Sequence, residues 1–167
     1  MNLPEPGPDA VDPAATFLDY LDYFRAEVRR KVADLGDAEL SVSRVPSGWT
    51  PAELLSHLVH MERRWFVWGF LGEDVGNPWA DRDDDDGWRT TGTLDEMLDA
   101  LDAGGTRTRE IVSAHGLTDI ASAEGRFADG EPPTLLAILF HVMQEYARHM
   151  GHLDIVRELI DGSTGEG

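Results

Sequence analysis

The longest periodic segment of the sequence runs from Leu135 to Ile160, where apolar residues recur at the three- and four-residue spacing of an α-helix. Pro132-Pro133-Thr134 precedes this segment, and Asp161-Gly162 follows it at a place where glycine commonly ends a helix. The pattern therefore predicts one long helix near the end of the chain.

Three earlier segments have the same helical periodicity, and each begins at its own start signal. The first begins at an Asp-Pro pair, and the other two begin at capping boxes of the form Thr-x-x-Glu. The predicted helices run from Asp12 to Gly36, from Thr50 to about Phe70, and from Thr93 to Gly116. Gly104-Gly105 makes a break in the third helix an alternative, since each glycine costs about 1 kcal/mol relative to alanine.

The connections between these segments indicate the fold class. Residues Gly72 to Gly92 are rich in Asp, Gly and Pro and have no periodicity, which predicts a long loop between helices two and three. No run is typical of a β-sheet, so we expect an all-α four-helix bundle with one apolar stripe per helix in its core. We expect one domain over residues 12–162, a flexible N-terminal segment over 1–11 and a disordered tail over 163–167.

Composition and charge exclude several classes of partner. There is no cysteine, so any thiol in the chemistry must arrive with a ligand. The formal net charge of −18 repels phosphate backbones and anionic lipids, and we therefore expect no nucleic-acid partner. No run reaches the roughly 18 apolar residues of a membrane helix, and the acidic, Pro-rich start from Met1 to Ala15 is unlike a signal peptide. We predict a cytoplasmic protein that does not bind a membrane.

Side chains that can bind metals lie on the apolar faces of two predicted helices. His141, Glu145, His149 and His152 fall within about 80° of one another on a helical wheel, in a stripe that overlaps the apolar arc. His57 lies on the apolar face of the second helix. Burial of these groups without compensation is costly, whereas one shared cation satisfies them together. We predict that His57, Glu145 and His149 bind one divalent metal ion, the last two at i, i+4 spacing.

Other polar and aromatic residues are not assigned to the predicted ligand set. His152 is either a fourth ligand or a hydrogen-bond partner of a ligand. A single histidine on an apolar face is more often a hydrogen-bonded core residue, so His60 and His141 are left out of the predicted site. Trp79 and Trp88 of the long loop are candidates for covering the mouth of a metal pocket.

Two stretches of the sequence resemble a known superfamily. Gly48 to Phe66, GWTPAELLSHLVHMERRWF, looks like the helix-two signature of the DinB-like (YfiT/DinB) metal-binding bundles. His141 to Leu159, HVMQEYARHMGHLDIVREL, resembles the last-helix signature of the mini-circle protein branch. The resemblance extends from about Phe17 to Gly162 and implies a four-helix bundle.

The same resemblance implies a metal-ligand set. Members carry one metal-binding histidine on helix two and two ligands four residues apart on the last helix, which are the positions of His57, Glu145 and His149. Glutamate at the second of these positions is similar to the mycothiol-dependent maleylpyruvate isomerases. Their additional C-terminal domain has no counterpart in this sequence, so their particular reaction is not predicted.

Three protein ligands leave at least one coordination position open, which is the pattern of catalytic zinc sites. We expect zinc, although imidazole and carboxylate also suit nickel, iron and manganese. If a low-molecular-weight thiol of the mycothiol or bacillithiol type occupies the open position, the resemblance implies a transferase or isomerase. If water does, the protein is a metallohydrolase, and a non-catalytic metal- or ligand-binding stress protein is a third interpretation.

An enzyme would also need a group that moves a proton near the metal ion. His152, His141 and Glu62 are the candidates in this sequence. The substrate is a small molecule whose identity the sequence leaves open, and the chain is either a monomer or a homodimer.

Overall fold

The computed structural model describes residues 5–7 and 11–164. Its α-helices are α1 (Pro13–Ala33), the short α2 (Asp37–Ser41), α3 (Pro51–Arg63), α4 (Leu94–Ala114) and α5 (Leu135–Asp161). No strand occurs in this part of the chain, so the predicted all-α four-helix bundle is confirmed. None of its helices is long and apolar enough to cross a membrane.

Helices α3 and α4 begin at the residues that the sequence predicts. Thr50 accepts a hydrogen bond from the backbone N–H of Glu53, and the Glu53 carboxylate accepts one from the backbone N–H of Thr50 at 2.8 Å. Thr93 and Glu96 form the same reciprocal pair at the start of α4. These bonds satisfy N–H groups that have no partner inside the helix, which explains why the local sequence predicts where α3 and α4 begin.

The long loop occupies residues 71–93, as predicted, and a single 3-10 turn, Gly125–Phe127, lies in the connection before α5. Residues 1–4, 8–10 and 165–167 lie outside the described part of the chain, and with them most of the predicted N-terminal segment and tail. The domain boundaries therefore stay a prediction. The five-residue helix α2 was missed, because it is too short to show hydrophobic periodicity.

The second predicted helix changes character at its C-terminal end. The segment Arg64–Phe70 continues α3 as a π-helix. Within this segment, a Cβ on Gly69 would lie 3.0 Å from the carbonyl oxygen of Arg64 and 3.2 Å from the ring of Phe127. A side chain at this position would therefore be crowded where the helix turn and the 3-10 turn approach each other. Periodicity does not separate a π-helix from an α-helix over seven residues, and the sequence analysis did not find this feature.

Each long helix contributes one apolar stripe to the core. The stripes of α1, α3 and α5 contain side chains with no solvent exposure, and that of α4 is nearly as deeply buried; among them are Leu21, Val28, Leu54, Leu58, Leu101, Ile138, Val142 and Leu153. None of the predicted metal ligands belongs to this apolar core, so we expect the bundle to fold on its own.

A buried carboxylate connects the four long helices. Glu62 of α3 accepts two hydrogen bonds from the Arg25 guanidinium of α1, with Nε at 3.1 Å. It also accepts the hydroxyl of Thr108 from α4 at 2.5 Å and that of Tyr146 from α5 at 2.6 Å. Burial opposes the charge on Arg25, but the Glu62 carboxylate outweighs it and raises the pKa of Arg25 above its ordinary value.

The alternative of a break at Gly104-Gly105 is wrong, because α4 runs through both residues. Gly105 is buried where the side chain of Arg25 crosses α4, and a Cβ there would lie 2.9 Å from Arg25 Nε. The glycine lowers helix propensity but makes room for the arginine that pairs with Glu62.

Two arginines at the end of α3 hold the long loop against the bundle. Arg63 donates to the carbonyl oxygen of Val75 at 2.7 Å, and Arg64 donates to that of Pro78 at 2.9 Å. Arg64 also forms a two-point ion pair with Asp81, whose side chain is fully buried. Asp81 is therefore fixed in position although it belongs to a loop.

Replacement of Glu62 by alanine should leave the Arg25 guanidinium buried without its partner. We expect the free energy of unfolding to fall by about 3–5 kcal/mol, measured by urea denaturation at pH 7. The matched control is Glu131→Ala, at an exposed position before α5, which should change it by less than about 0.5 kcal/mol. Similar losses for the two variants would contradict the role of Glu62.

Candidate metal centre

The packing of α3 against α5 brings the three predicted ligands together. His57 lies on α3, and Glu145 and His149 lie one turn apart on α5. One ligand atom from each residue lies within 4.8 Å of the other two. Glu145 Oε2 is 3.2 Å from His149 Nε2 and 3.7 Å from His57 Nε2. The convergence is observed, and the binding of a metal ion by these residues stays a prediction.

The spacing of these atoms fits a small divalent cation. Bonds of about 2.0–2.2 Å in tetrahedral geometry place neighbouring ligand atoms about 3.3–3.6 Å apart, close to the separations around Glu145 Oε2. His57 Nε2 is buried and has no hydrogen-bond partner within the described residues. A buried polar atom without a partner is destabilising, and a cation at this position would satisfy it.

Asp81 orients His57. The imidazole donates from Nδ1 to Asp81 Oδ2 at 3.2 Å, which leaves the lone pair of Nε2 facing Glu145 and His149. Burial alone would raise the pKa of Asp81, but the hydrogen bonds and charges of His57 and Arg64 outweigh it and lower the pKa to about 2. Asp81 is therefore a carboxylate at neutral pH. Histidines that bind metals commonly have such a partner on the other ring nitrogen.

Sequence reasoning missed Asp81, because it lies in a stretch without periodicity among several other aspartates. The only local signal is its position just before the acidic run, and that signal does not separate a buried aspartate from a solvated one. Its burial depends on Arg64, which approaches it only in the folded chain.

The protonation states of the other two residues also suit a cation. Burial lowers the pKa of His149 from its ordinary value, with the hydrogen bond to Glu145 opposing this effect. The hydrogen bond with His149 and the nearby His57 hold the pKa of Glu145 well below its usual range. At pH 7 the set therefore consists of a neutral imidazole at His149 and a carboxylate at Glu145, the forms in which these side chains bind metals.

Three other histidines, His152, His141 and His60, differ in their contacts with this cluster. His152 Nδ1 lies 3.3 Å from His149 Nδ1, the ring nitrogen that faces away from Glu145, which is the geometry of a hydrogen-bond partner of His149. His141 Nε2 lies 3.7 Å from Glu145 Oε1, and its ring packs against Trp65 at 4.0 Å. His60 hydrogen-bonds to the carbonyl oxygen of Ser56 at 3.0 Å and takes no part in the cluster.

The two tryptophans of the long loop have different surroundings. The Trp88 ring stacks on His57 with 4.4 Å between ring centroids, and it meets His149 edge-on at 5.2 Å. Trp79 instead lies under the guanidinium of Arg64 at 4.4 Å. Trp88 is thus the loop tryptophan that contacts the candidate centre.

Several solved structures have a similar fold. They include a conserved protein from Enterococcus faecalis (15% identity, TM-score 0.67, covering 92% of this chain and 100% of that chain). YfiT from Bacillus subtilis, described as a probable metal-dependent hydrolase with an unusual four-helix bundle topology, is 15% identical with a TM-score of 0.66, and 95% of each chain is covered. A DinB-like protein from Bacillus cereus is 18% identical with a TM-score of 0.63, covering 92% of this chain and 95% of that chain.

At these identities the likeness to solved structures shows the fold alone, and that fold is the one expected of the DinB-like (YfiT/DinB) bundles. No curated protein matches the sequence. A family model of mycothiol-S-transferases matches residues 16–162, which include α1 from its first turn, the whole of α3, α4 and α5, and all three residues of the candidate centre. The chain therefore belongs to the mycothiol-S-transferase family.

Proposed function

We propose that this protein is a metal-dependent transferase that joins a low-molecular-weight thiol of the mycothiol type to an electrophilic small molecule. The observation that carries the proposal is the convergence of His57, Glu145 and His149, with His57 Nε2 buried and without a partner, in a chain of the mycothiol-S-transferase family. The chain has no cysteine, so the sulfur nucleophile has to be a substrate.

The donor set limits the ions that the protein would hold. One carboxylate and two imidazoles suit zinc, and they also accept nickel, iron and manganese. When bound here, a divalent cation favours the thiolate form of a thiol beside it, since the cation stabilises the charged sulfur. Three protein ligands leave room for that sulfur.

His141 is placed to receive the proton that the thiol loses. Its Nε2 lies 3.7 Å from Glu145 Oε1, on the side of the carboxylate away from His57 and His149, and the residue is partly exposed to water. Burial lowers the pKa of His141 from its ordinary value despite the opposing charge of Glu145, so the imidazole is neutral at pH 7 and can accept a proton.

The other two candidates for proton transfer are less well placed. The Glu62 carboxylate already accepts hydrogen bonds from Arg25, Thr108 and Tyr146. His152 lies behind His149 and away from Glu145. Of the three groups that the sequence singled out, His141 is the one that is both close to the Glu145 carboxylate and partly exposed to water, which supports a role as the base.

Removal of one ligand should abolish metal binding and leave the bundle folded. We expect His149→Ala to weaken zinc binding by at least about 100-fold in calorimetric titration, because only two ligands remain. Zinc should raise the melting temperature of the parent protein by mass action and leave that of the variant unchanged. His115→Ala, an exposed histidine at the end of α4, serves as the control. An equal zinc-dependent rise for parent and His149→Ala would refute the site.

Loss of the carboxylate that orients His57 should weaken metal binding without removing a ligand. We expect Asp81→Asn to lower zinc affinity by about 10–100-fold, because His57 loses the partner that fixes its ring and tautomer. Asp85→Asn makes the same chemical change at an exposed position of the same loop and should have no effect. If both variants bind zinc like the parent, Asp81 has no role in the centre.

Cobalt substitution provides a direct test of thiol binding. With mycothiol, the cobalt-loaded protein should develop a sulfur-to-cobalt charge-transfer band, and His57→Ala should abolish the band. With an aryl chloride as electrophile, a carbon–sulfur bond should form as chloride leaves, and the thiol proton should be released to solvent. Ester hydrolysis without any thiol would instead identify a hydrolase. Neither a band nor turnover would leave only metal or ligand binding as the function.

A further inference from the structure

Arg126, in the 3-10 turn before α5, is a half-buried cation whose guanidinium makes no hydrogen bond and no ion pair within the described residues. In the same part of the chain, each of the other basic side chains that are buried or half-buried pairs with a carboxylate or a carbonyl oxygen: Arg25, Arg29, Lys31, Arg63, Arg64, Arg82, Arg107 and Arg157. Arg126 is therefore an exception in a chain with 32 acidic residues.

Two glycines allow the turn that carries this arginine to lie directly against the π-helical segment. Gly125 has a φ of 61°, and a Cβ on it would overlap the carbonyl oxygen of Trp68. A Cβ on Gly69 would lie 3.5 Å from Cδ of Arg126. Backbone packing therefore fixes the position of Arg126, and no ion pair is needed to hold it there. Irregular π-helical turns of this kind are frequent at functional sites.

Aromatic contacts connect Arg126 to the candidate metal centre. Its Cζ lies 4.3 Å from the centroid of the Trp65 ring and 5.5 Å from that of Trp79. The Trp65 ring lies 4.0 Å from the ring of His141, whose Nε2 is 3.7 Å from Glu145 Oε1. The guanidinium and the imidazole that we propose as the base thus pack on the same indole ring. An elongated small molecule can contact both Arg126 and the centre.

The electrostatic surroundings of Arg126 favour an anion beside it. Burial, together with the charge of Arg64, lowers the pKa of Arg126 from its ordinary value, although arginine stays charged at neutral pH. Arg64 is already paired with Asp81, whereas the donors of Arg126 are unused. A carboxylate matches a guanidinium with two parallel hydrogen bonds, and its charge would offset the cost of keeping Arg126 charged.

Charge and shape limit which anion fits. The net charge of −18 repels large polyanions, and the one unpaired guanidinium suits a single carboxylate. The ring of Trp79, which is 43% exposed, gives a flat apolar surface beside Arg126. The complementary ligand is therefore a small, flat molecule with one carboxylate. Mycothiol has no carboxylate, so the carboxylate has to come from the other substrate of the transfer.

We propose that Arg126 binds a carboxylate of the electrophilic substrate, so that the protein prefers anionic electrophiles to uncharged ones. The assignment to the electrophile rests on the proposed function, whereas anion binding by Arg126 does not require the metal ion. In the transfer, the electrophilic carbon forms a bond to the thiolate sulfur, the leaving group departs with its bonding electron pair, and the thiol proton passes to solvent. Arg126 contacts the substrate and takes no part in that bond exchange.

The first test measures anion binding without any reaction. Calorimetric titration of the metal-free, full-length protein compares dinitrobenzoate with dinitrobenzamide, which has the same shape but no charge. We expect the benzoate to bind at least about tenfold more tightly, because its carboxylate makes charge-assisted hydrogen bonds. This advantage should shrink at high salt, since Arg126 is only half-buried and its charge is screened.

Variants identify the cation that is responsible. Arg126→Gln should weaken dinitrobenzoate binding by about tenfold and leave dinitrobenzamide binding unchanged, and Arg126→Lys should fall between parent and Arg126→Gln because it keeps the charge without the planar fork. Arg44→Gln, at an exposed position before α3, is the matched control. Arg148→Gln tests the exposed arginine next to His149. A loss of benzoate binding from Arg148→Gln with none from Arg126→Gln would overturn the proposal.

Kinetics of the metal-loaded protein with mycothiol then test whether the bound anion is the electrophile. The substrates are chlorodinitrobenzoate, with chlorine para to the carboxylate, and the corresponding amide. We expect Arg126→Gln to raise KM for the benzoate by about tenfold, with kcat within about twofold of the parent and no change for the amide.

The outcomes separate this inference from the function on which it rests. Equal binding of dinitrobenzoate and dinitrobenzamide to the parent would refute the anion site. Unchanged kinetics of the chlorinated benzoate in Arg126→Gln, despite lost dinitrobenzoate binding, would refute the assignment of the anion to the electrophile. No turnover of either chlorinated compound would overturn the proposed function, and with it the electrophile assignment, while anion binding at Arg126 stands.

Discussion

The Glu62 carboxylate of α3 hydrogen-bonds to side chains from all three other long helices. Arg25, Thr108 and Tyr146 approach it from α1, α4 and α5, and none of the four is exposed to solvent. A buried ion pair adds little stability compared with an apolar core, but an unpaired buried charge is strongly destabilising. Alternative packings of the bundle that separate Arg25 from Glu62 are therefore disfavoured. The network thus specifies one arrangement of α3 and α5, and that arrangement brings His57 close to Glu145 and His149.

A second buried carboxylate, Asp81, connects the loop to the same arrangement. It pairs with Arg64 at the start of the π-helical segment, and it accepts the Nδ1 proton of His57. The same carboxylate therefore holds the loop against the bundle and orients the imidazole of His57. The same loop also supplies Trp88, which covers a face of that imidazole.

The sequence predicts the parts of this structure that depend on local chemistry. Thr50 and Thr93 mark helix starts because their hydrogen bonds are made within four residues. The sequence also indicates His57, Glu145 and His149, because they are polar residues on the apolar faces of two predicted helices. Asp81 could not be predicted, because its burial depends on an arginine 17 residues away that meets it only in the folded chain.

The same reasoning explains other differences from expectation. Gly105 weakens the helix by local propensity, yet α4 is continuous, and the space that the glycine leaves holds Arg25. Nothing in the sequence separates Trp79 from Trp88, since only the path of the loop places one against Arg64 and the other against His57.

The residues of the core network and those of the metal centre alternate along the same two helices. Tyr146 lies between Glu145 and His149 on α5, and His57 precedes Glu62 on α3 by less than two turns. One inserted or deleted residue between Tyr146 and His149 would rotate the following part of α5 by about 100° and move His149 out of line with both Tyr146 and Glu145. Insertions and deletions in related proteins should therefore be confined to the loops. We expect the lengths of these two helical stretches to be constant among proteins that share the centre.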